Sequence, residues 1–355
     1  MKPLKWMLFF FVACASITAC GKKETTSPDK SAEARGPKAL HTDGRWIVNG
    51  DGEKMILRGV NIASLEWTAA GEHMLQSIDS AVTGWHANLV RIPLSQDRWF
   101  GKTSEQRDEG RSYQLLVDRL VESCTEKGCY ILLELHWSDA GIWGEHIGQH
   151  KMPDSNSVVF HKSLASRVAN VPAVWIGLYN EPHDISWDVW LNGGQVTEDV
   201  TEDGVAKKLS YRAIGHQALY DSVRAAGAAD NLVVIGGLDW GFDLSGVLTG
   251  HAVSGANIVY DTHPYPWKNT DWDAKFGNLG RQTPILVGEW GGNFQDGHRA
   301  YGNAMASYLR INKFCWTAWC FHPAAGPCLI QDWKYTPTGF GGLVKNELKN
   351  PVTVE

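Results

Sequence analysis

The sequence has no run of lysine and arginine of the kind that follows a phosphate backbone. Its 33 basic and 39 acidic residues leave a formal net charge of −6, so nucleic acid is not an expected partner. No cysteine stands at metal-ligand spacing from a histidine, which argues against a zinc site. Tryptophan, in contrast, is in excess. Seventeen indoles in 355 residues are more than a core needs, so we expect part of them to line a groove.

The first 20 residues, MKPLKWMLFFFVACASITAC, are predicted to be a targeting segment. Two lysines precede an apolar stretch that is too short to span a bilayer comfortably. The segment closes on ITAC, which resembles the bacterial lipobox, where the cysteine is lipidated after cleavage. We expect a signal peptide over 1–19, a lipidated Cys20 and a flexible tether over 20–40. An ordinary secretory signal cut near Ala19 is the alternative.

A lipidated Cys20 would make the lipid bilayer a partner and hold the folded part outside the cytoplasm. Gly21 follows it, in place of the aspartate associated with inner-membrane retention. This favours the outer membrane if the cell is Gram-negative. Secretion without an anchor is the other localisation.

Five cysteines remain once Cys14 of the signal and Cys20 are set aside, and they are Cys124, Cys129, Cys315, Cys320 and Cys328. An odd number in an oxidising compartment leaves at least one unpaired thiol. Short loops would be closed by pairing the first two or the last two. The connectivity stays open at the level of sequence.

Eight apolar, strand-like runs alternate with helix-like segments from His41 onward. The runs are Met55–Ala63, Ala87–Ser95, Tyr130–Trp137, Val174–Pro182, Asn231–Trp240, Asn257–Trp267, Pro284–Gly292 and Lys313–His322. Such strands predict a parallel sheet covered by helices, and eight units predict an α/β fold, the closed (β/α)8 TIM barrel. An open doubly wound sheet is disfavoured, because no Gly-x-Gly-x-x-Gly or P-loop follows any strand. The early GRWIVNGDGEKMILRG predicts a β-hairpin that closes the bottom of the barrel.

Functional side chains cluster at the carboxyl ends of these runs, where a barrel places its chemistry. They are Arg91, His136, Asn180, Glu181, Asp239, His263, Tyr265, Glu289 and Trp319. Glu181 in WIGLYNEPHD and Glu289 in PILVGEWGG end the fourth and seventh strands. Barrel closure should therefore bring these two carboxylates to face each other across one pocket.

A facing pair of carboxyl groups is what the hydrolysis of a glycosidic bond requires, with a separation of roughly 5 Å in double-displacement enzymes. The two groups must differ in pKa, and their surroundings provide the difference. Arg91 and Tyr265 are candidate stabilising neighbours of Glu289, which is assigned the ionised, nucleophilic role. Glu181, in an apolar setting beside that anion, is assigned the role of acid and then base. Asn180 offers an amide to a sugar hydroxyl.

Each of these residues alone has a structural explanation, but their ordered combination resembles glycoside hydrolase family 5, the cellulase family, from about Trp46 to Val344. The motifs are VRIPL with Arg91, LELHW with His136, LYNEPH with Asn180 and Glu181, THPYPW with His263 and Tyr265, VGEWG with Glu289, and TAWCFH with Trp319. The resemblance implies a retaining mechanism through a covalent glycosyl-enzyme, with no metal and no organic cofactor. It also implies that Trp319 is a platform for the sugar before the cut.

The resemblance further implies an endo-acting hydrolase of β-1,4-linked glucan, with mixed β-1,3/1,4 glucan within its range. Mannan, lichenan and xyloglucan remain open as substrates, and so does transglycosylation. We expect residues 41–355 to be one catalytic domain of a monomer. Candidate substrate-stacking residues are Trp67, Trp137, Trp240, Trp267, Trp290 and Trp319, with Trp99, Trp143, Trp187 and Trp190 as further candidates.

Two insertions are longer than a minimal barrel needs, namely SDAGIWGEHIGQHKMPD after the third strand and SWDVWLNGGQVTEDVTEDG after the fourth. HIGQH has two histidines at helical spacing but lacks the glutamate of a metalloprotease motif, so it is interpreted as a polar loop face.

Two other classes of function compete with hydrolysis by two carboxylates. A metal-dependent barrel hydrolase would use His136, His263 and Asp239, but the first strand, ILRGVNIA, lacks the paired histidines of such barrels. A lipid-anchored glycan-binding protein without activity would keep the tryptophans but not both glutamates.

Overall fold

The computed structural model describes residues 36–202, 204–352 and 354, so the predicted signal peptide and the predicted lipidation site at Cys20 lie outside the described residues. The strands are β1 (Leu40–Asp43), β2 (Trp46–Asn49), β3 (Lys54–Met55), β4 (Arg58–Asn61), β5 (Leu89–Ser95), β6 (Tyr130–Trp137), β7 (Val174–Gly177), β8 (Gly193–Glu202), β9 (Val205–Ile214), β10 (Val233–Gly236), β11 (Ile258–Asp261), β12 (Ile285–Val287) and β13 (Cys315–Ala318). The helices are α1 (Met74–Asp79), α2 (Gln96–Trp99), α3 (Arg111–Glu126), α4 (Ser155–Val168), α5 (Trp187–Asn192), α6 (His216–Ala225), α7 (Arg299–Asn312) and α8 (Gly339–Lys349).

Eight of the strands form a closed parallel barrel in the order β4, β5, β6, β7, β10, β11, β12, β13, with β13 returning to β4. Each of the eight predicted runs contains one barrel strand, so the predicted (β/α)8 fold is confirmed. The strands are shorter than the runs; β7, for example, ends at Gly177. The runs continue because the loops that follow the strands are themselves buried, and these loops carry most of the polar site residues.

Helix α3 illustrates how local sequence positions an element. Val117, Leu120 and Cys124 recur at helical spacing and are buried against the barrel, which places the apolar stripe of the helix on its inner face. The helix ends at Glu126, and Gly128 has a φ of +70°. Glycine adopts this left-handed conformation without a steric penalty, so it suits the end of a helix.

The bottom of the barrel is closed by the short N-terminal strands. β2 and β3 form the predicted hairpin, and β1 adds a third antiparallel strand to it. Leu40 and Ile47 pack in one buried cluster with residues at the amino ends of barrel strands, such as Leu89 and Trp175. Leu40 belongs to β1, although the sequence placed it in the tether, because its side chain completes this lower core.

The inward-facing side chains of strand β6 change from apolar residues in the lower core to ionisable residues at the carboxyl end. Leu132 belongs to the lower core cluster, whereas Ile131, Leu133 and Leu135 belong to the cluster between barrel and helices. Alternation along a strand therefore places Glu134 and His136 above Leu132 on the inner face. A single strand thus changes from apolar filling at the bottom to ionisable groups at the top.

The insertion after β7 forms an antiparallel hairpin of two ten-residue strands, β8 and β9, paired from Gly193 with Ile214 to Glu202 with Val205. Its base is buried, including Val196, Glu198 and Tyr211.

All five cysteines left open by the sequence are free thiols, and four of them are buried. Neither short loop is therefore closed by a disulfide. Within the described ranges, no helix is both long and apolar enough to cross a membrane.

Candidate active site

Glu181 and Glu289 meet at the carboxyl end of the barrel. One oxygen of each carboxyl group and one nitrogen of His263 all lie within 4.8 Å of one another. Glu181 lies four residues beyond the end of β7, and Glu289 lies two residues beyond the end of β12. The expected meeting of the two carboxylates is therefore present, and the separation is close to the roughly 5 Å of paired carboxyls in retaining enzymes.

Arg91 lies at the centre of the site and is completely buried. One terminal nitrogen donates to Asn61 Oδ1 and to Glu289 Oε1, each at 2.7 Å. The other donates to Glu134 Oε1 at 2.8 Å and to Asn180 Oδ1 at 2.7 Å. A buried guanidinium needs such paired acceptors, because its charge cannot be solvated. It thereby holds four side chains from four parts of the chain.

His263 bridges two acids. Its Nδ1 lies 2.8 Å from Glu181 Oε1, and its Nε2 lies 3.3 Å from Asp261 Oδ2. Burial disfavours the imidazolium, but the charges of Glu289 and Asp261 outweigh it and raise the pKa of His263 to about 10. A doubly protonated ring donates one hydrogen bond to each acid, which matches these two acceptors.

Glu289 is stabilised as an anion. Burial opposes its ionisation, but the positive charges of His263 and Arg91 dominate, and the pKa of Glu289 is lowered to about 2. Tyr265 donates its hydroxyl proton to Glu289 Oε2 at 2.8 Å. Both carboxylate oxygens thus accept a hydrogen bond, one from Arg91 and one from Tyr265.

Glu181 has the opposite balance. Burial raises the pKa of Glu181, and the negative charge of Glu289 adds to this, against a hydrogen bond from His263. Its side chain keeps 17% of its surface exposed, so it can reach a molecule in the cleft. The two carboxyl groups therefore differ in proton affinity in the direction predicted from sequence.

His136 and Asn180 complete the floor of the site. Glu134 Oε2 lies 3.2 Å from His136 Nδ1, and this partner raises the pKa of His136 although burial opposes it. The Asn180 amide nitrogen lies 3.3 Å from His136 Nε2 and donates to Gln149 Oε1 at 3.0 Å. Because the Asn180 amide oxygen accepts a hydrogen bond from Arg91, both the oxygen and the nitrogen of this amide have protein partners.

Four site residues escaped the sequence analysis: Asn61, Glu134, Gln149 and Asp261. Glu134 could have been identified from the sequence, since a charged residue inside the apolar strand YILLELHW must have a buried partner. Asp261 closes a similar apolar run, and it accepts the backbone N–H of Gly288 at 2.6 Å. Asn61 and Gln149 had no local signal.

A cavity of about 480 Å³ opens over the two carboxyl groups. Its lining residues are His136, Asn180, Glu181, Trp240, Tyr265, Trp267, Lys268, Glu289, Trp319, Gly326 and Pro327. Three predicted tryptophans line it, and each stacks on a neighbouring ring. Trp319 stacks on His136, Trp240 on His183 and Trp267 on Tyr265, with interplanar angles of 13°, 9° and 7°.

The prediction for Trp290 was wrong. This ring is completely buried in the main core, packed edge-on against Trp316 and Phe340, and it has no surface to offer a sugar. Trp99 and Trp190 are also completely buried.

Two further candidates, Trp67 and Trp137, are half-buried and do not line this cavity. Trp67 donates its indole N–H to Glu72 at 2.8 Å, and Trp137 lies against the guanidinium of Arg98.

The metal-site alternative from His136, His263 and Asp239 does not assemble. Asp239 is paired with Lys268 at 2.9 Å, and its side chain is half exposed. In the described part of the chain, Glu181, His263 and Glu289 are the one acid and histidine group close enough to share an ion. Both nitrogens of His263 already face carboxylates, and Glu289 already binds Arg91 and Tyr265, so this group fits an internal hydrogen-bond network.

Replacing Tyr265 by Phe should raise the pKa of Glu289 toward its ordinary value, because one hydrogen bond to the anion is lost. A lowered pKa stabilises the folded protein above the unfolded-state pKa, and this stabilisation disappears as the pH falls through the folded-state pKa. The variant should be less stable by about 1–3 kcal/mol at pH 7, and the difference should shrink as the pH falls toward the folded-state pKa of Glu289, about 2. Urea unfolding at several pH values measures it.

Tyr130→Phe is the matched control, because the Tyr130 hydroxyl donates at 2.8 Å to the backbone carbonyl oxygen of Lys38, which does not titrate. Its effect should not vary with pH in this way. A stability difference for Tyr265→Phe that stays constant from pH 7 to 2 would contradict the role of the hydroxyl.

Comparison with known proteins places these features in a family. Residues 48–325 match the family model described as Cellulase (glycosyl hydrolase family 5). An endoglucanase from Paenibacillus polymyxa is 27% identical over 363 residues, covering 85% of each chain. The major extracellular endoglucanase of Xanthomonas campestris pathovar campestris is 25% identical over 351 residues, covering 85% of this chain and 70% of the relative.

Among solved structures, a beta-glucanase from Saccharophagus degradans in complex with cellotetraose has a TM-score of 0.67. It is 21% identical and is matched over 88% of this chain and 93% of its own. At this identity the likeness shows the fold alone. The family model, in contrast, spans most of the barrel and all the residues of the carboxylate site. The chain therefore belongs to glycoside hydrolase family 5 and is a hydrolase of O-glycosyl bonds.

Proposed function

We propose that the protein is an endo-acting β-1,4-glucanase that works by a retaining double displacement, with Glu289 as nucleophile and Glu181 as acid and base. The observation that carries this proposal is the short separation of the two carboxyl groups, within 4.8 Å between one oxygen of each. An inverting enzyme needs a wider gap, about 6.5–9.5 Å, to admit a water molecule between carboxyl and sugar.

In the first step, a Glu289 oxygen attacks the anomeric carbon while Glu181 gives its proton to the departing glycosidic oxygen. The bond to the leaving sugar breaks, and an ester between the glycosyl unit and Glu289 forms. The raised pKa of Glu181 keeps the proton available, and the lowered pKa of Glu289 keeps the nucleophile ionised.

In the second step, Glu181, now ionised, removes a proton from water, and the water oxygen attacks the same carbon. The ester bond breaks and Glu289 leaves as a carboxylate. Arg91 and Tyr265 bind that carboxylate in the structure, so they stabilise it as a leaving group. Glu181 ends the cycle protonated, which restores the starting state.

The partners of the two acids have supporting roles in this scheme. His263 donates to Glu181 and lies 3.8 Å from Glu289, so its positive charge stabilises whichever carboxyl is ionised. Asn180 and His136 face the cavity from its floor and are placed to meet sugar hydroxyls.

The aromatic lining supports a glucan as substrate. Exposed indole faces suit the axial C–H faces of β-linked glucose, and Trp240 and Trp267 are 41% and 64% exposed. Both relatives described above are named endoglucanases, and the solved beta-glucanase is in complex with cellotetraose. A second cavity of about 640 Å³ shares Trp267, Gly326 and Pro327 with the first, so the cleft continues past one sugar unit, as a polymer requires.

Glu181→Gln and Glu289→Gln should each lower kcat on β-glucan by at least about 10²–10⁴-fold, because each removes one proton or electron-pair transfer. Binding of the glucan should stay close to that of the wild type. On 2,4-dinitrophenyl β-cellobioside, whose leaving group departs without a proton, azide, a small anionic nucleophile, distinguishes the two roles. Glu181→Gln should form a β-glycosyl azide, and Glu289→Ala, which leaves room for azide, should form an α-glycosyl azide.

Glu347→Gln, a glutamate on the outer helix α8, is the control and should keep wild-type kcat. Normal turnover in either site variant, or azide products of the opposite anomeric configuration, would overturn the assignment of roles.

A panel of carboxymethylcellulose, lichenan, xyloglucan and β-1,4-mannan should be cleaved with β-1,4-glucan preferred. Endo action should lower the viscosity of carboxymethylcellulose faster than reducing ends accumulate. Preference for mannan, or release of short sugars without a fall in viscosity, would replace the glucanase proposal by a mannanase or an exo-acting enzyme of the same family.

We also propose that residues 1–19 direct export, that Cys20 is lipidated, and that a tether carries the catalytic domain, which was predicted over 41–355 and begins with β1 at Leu40. The ITAC motif supports the lipid, and an extracellular relative supports activity outside the cytoplasm. In bacterial cells, Cys20→Ala should abolish incorporation of labelled palmitate and release the enzyme from the membrane fraction. Incorporation that persists in this variant would contradict the anchor.

A further inference from the structure

The two insertions singled out in the sequence meet beside Glu181. The loop after β6 contacts the base of the hairpin β8–β9, and both Glu198 carboxylate oxygens have partners in this loop. One oxygen pairs with His150 Nδ1, and the other accepts the backbone N–H of Lys151 at 3.1 Å. Glu198 is only 8% exposed, so its charge depends on these partners.

His150 is bonded on both sides. Its Nδ1 faces the Glu198 carboxylate, and its Nε2 lies 2.6 Å from the carbonyl oxygen of His146. Both partners can only accept hydrogen bonds, so the ring satisfies them together only as a doubly protonated imidazolium. Burial opposes that charge, but Glu198 outweighs burial and raises the pKa of His150.

Two tyrosine hydroxyls hold the same loop by its backbone. The Tyr179 hydroxyl accepts the N–H of His150 and donates to its carbonyl, both at 3.0 Å. The Tyr211 hydroxyl, from β9, does the same for Met152 at 3.0 and 2.9 Å. The loop is therefore fixed on one side by the hairpin and on the other by the residue that precedes Asn180.

Gln149 lies within this fixed segment, and its side chain turns toward the site. Its amide nitrogen donates to the carbonyl oxygen of Glu181 at 3.2 Å, and its amide oxygen accepts from Asn180 at 3.0 Å. Asn180 in turn accepts from Arg91, which binds Glu289. The Gln149 amide is thus joined to the backbone of one catalytic acid and, through two side chains, to the other.

We propose that Gln149 is a positioning residue for Glu181, and that the Glu198–His150 pair between the hairpin and the loop holds Gln149 in place. The inference rests on the proposed acid role of Glu181. A proton donor must lie within hydrogen-bond reach of the glycosidic oxygen, and a misplacement of about 1 Å can cost as much as 10²-fold in rate. The hairpin, which a minimal barrel lacks, thereby supports the acid from outside the barrel.

Gln149→Met tests this directly, because methionine has a similar length and makes neither hydrogen bond. On cellopentaose, kcat should fall by about 10–100-fold, with KM within about twofold of the wild type. On 2,4-dinitrophenyl β-cellobioside the loss in kcat/KM, which reports on the first step alone, should be much smaller, because this leaving group departs as a stable anion and needs no proton. A larger loss on cellopentaose than on the dinitrophenyl substrate indicates impaired proton donation by Glu181, whereas a general disturbance of the site would lower both rates equally.

Glu198→Gln should show the same leaving-group pattern with a smaller loss, because it removes the charge that orders His150. The matched control is Asp199→Asn, since Asp199 is the next residue on β8 but is 75% exposed and pairs with Lys208. It should leave both rates unchanged.

Equal losses on both substrates, or no loss for Gln149→Met, would overturn the positioning role. If Glu198→Gln fails to fold, Gln149→Met still decides the proposal, because it leaves the hairpin intact and its thermal unfolding can be compared with that of the wild type. Inability of the wild type to cleave any β-glucan would instead overturn the proposed function. The same leaving-group comparison would then be made on mannose-based substrates, so that the positioning role of Gln149 can be tested even when the glucanase proposal fails.

Discussion

The structure depends on one buried positive charge. Arg91 has no contact with water, yet its two terminal nitrogens donate to four side-chain oxygens, on Asn61, Glu134, Asn180 and Glu289. Without this guanidinium, the buried carboxylates of Glu134 and Glu289 would each lose an ionic partner, at a cost of several kcal/mol. Because the four partners follow or belong to four different barrel strands, the same interaction that allows ionised acids inside the protein also fixes the distances between them.

The asymmetry of the two acids follows from how they share these partners. Glu289 binds Arg91 and Tyr265 directly, whereas Glu181 has one hydrogen bond from His263 and an anion as neighbour. Burial affects both, but only Glu289 is sufficiently compensated, and the pKa values move apart in opposite directions. Asp261 contributes by keeping His263 cationic. The difference in proton affinity is therefore a property of the surroundings, since the two residues are chemically identical.

The hairpin β8–β9, outside the barrel, also supports the site, through hydrogen bonds to a neighbouring loop. Among its described residues, hairpin β8–β9 contributes no side chain to the lining of the cavity over the two carboxyl groups, but its Glu198 and Tyr211 hold the loop that carries Gln149. Loops on a barrel are less constrained than strands, so hydrogen bonds of this kind limit the movement of the loop. The tryptophans that line the cavity are constrained in a similar way, since each stacks on a neighbouring ring, as Trp319 does on His136.

The sequence by itself determined the barrel, because the alternation of eight apolar runs with helix-like segments is a local pattern. It also determined that Glu181 and Glu289 lie just beyond the ends of strands. Only the tertiary structure decided which groups surround them. Gln149 was assigned to a polar loop face and Trp290 to the cleft, but the first binds the site and the second lies in the core. Strand periodicity depends on residues two apart, whereas a side chain's partner and exposure depend on segments that meet only when the barrel closes.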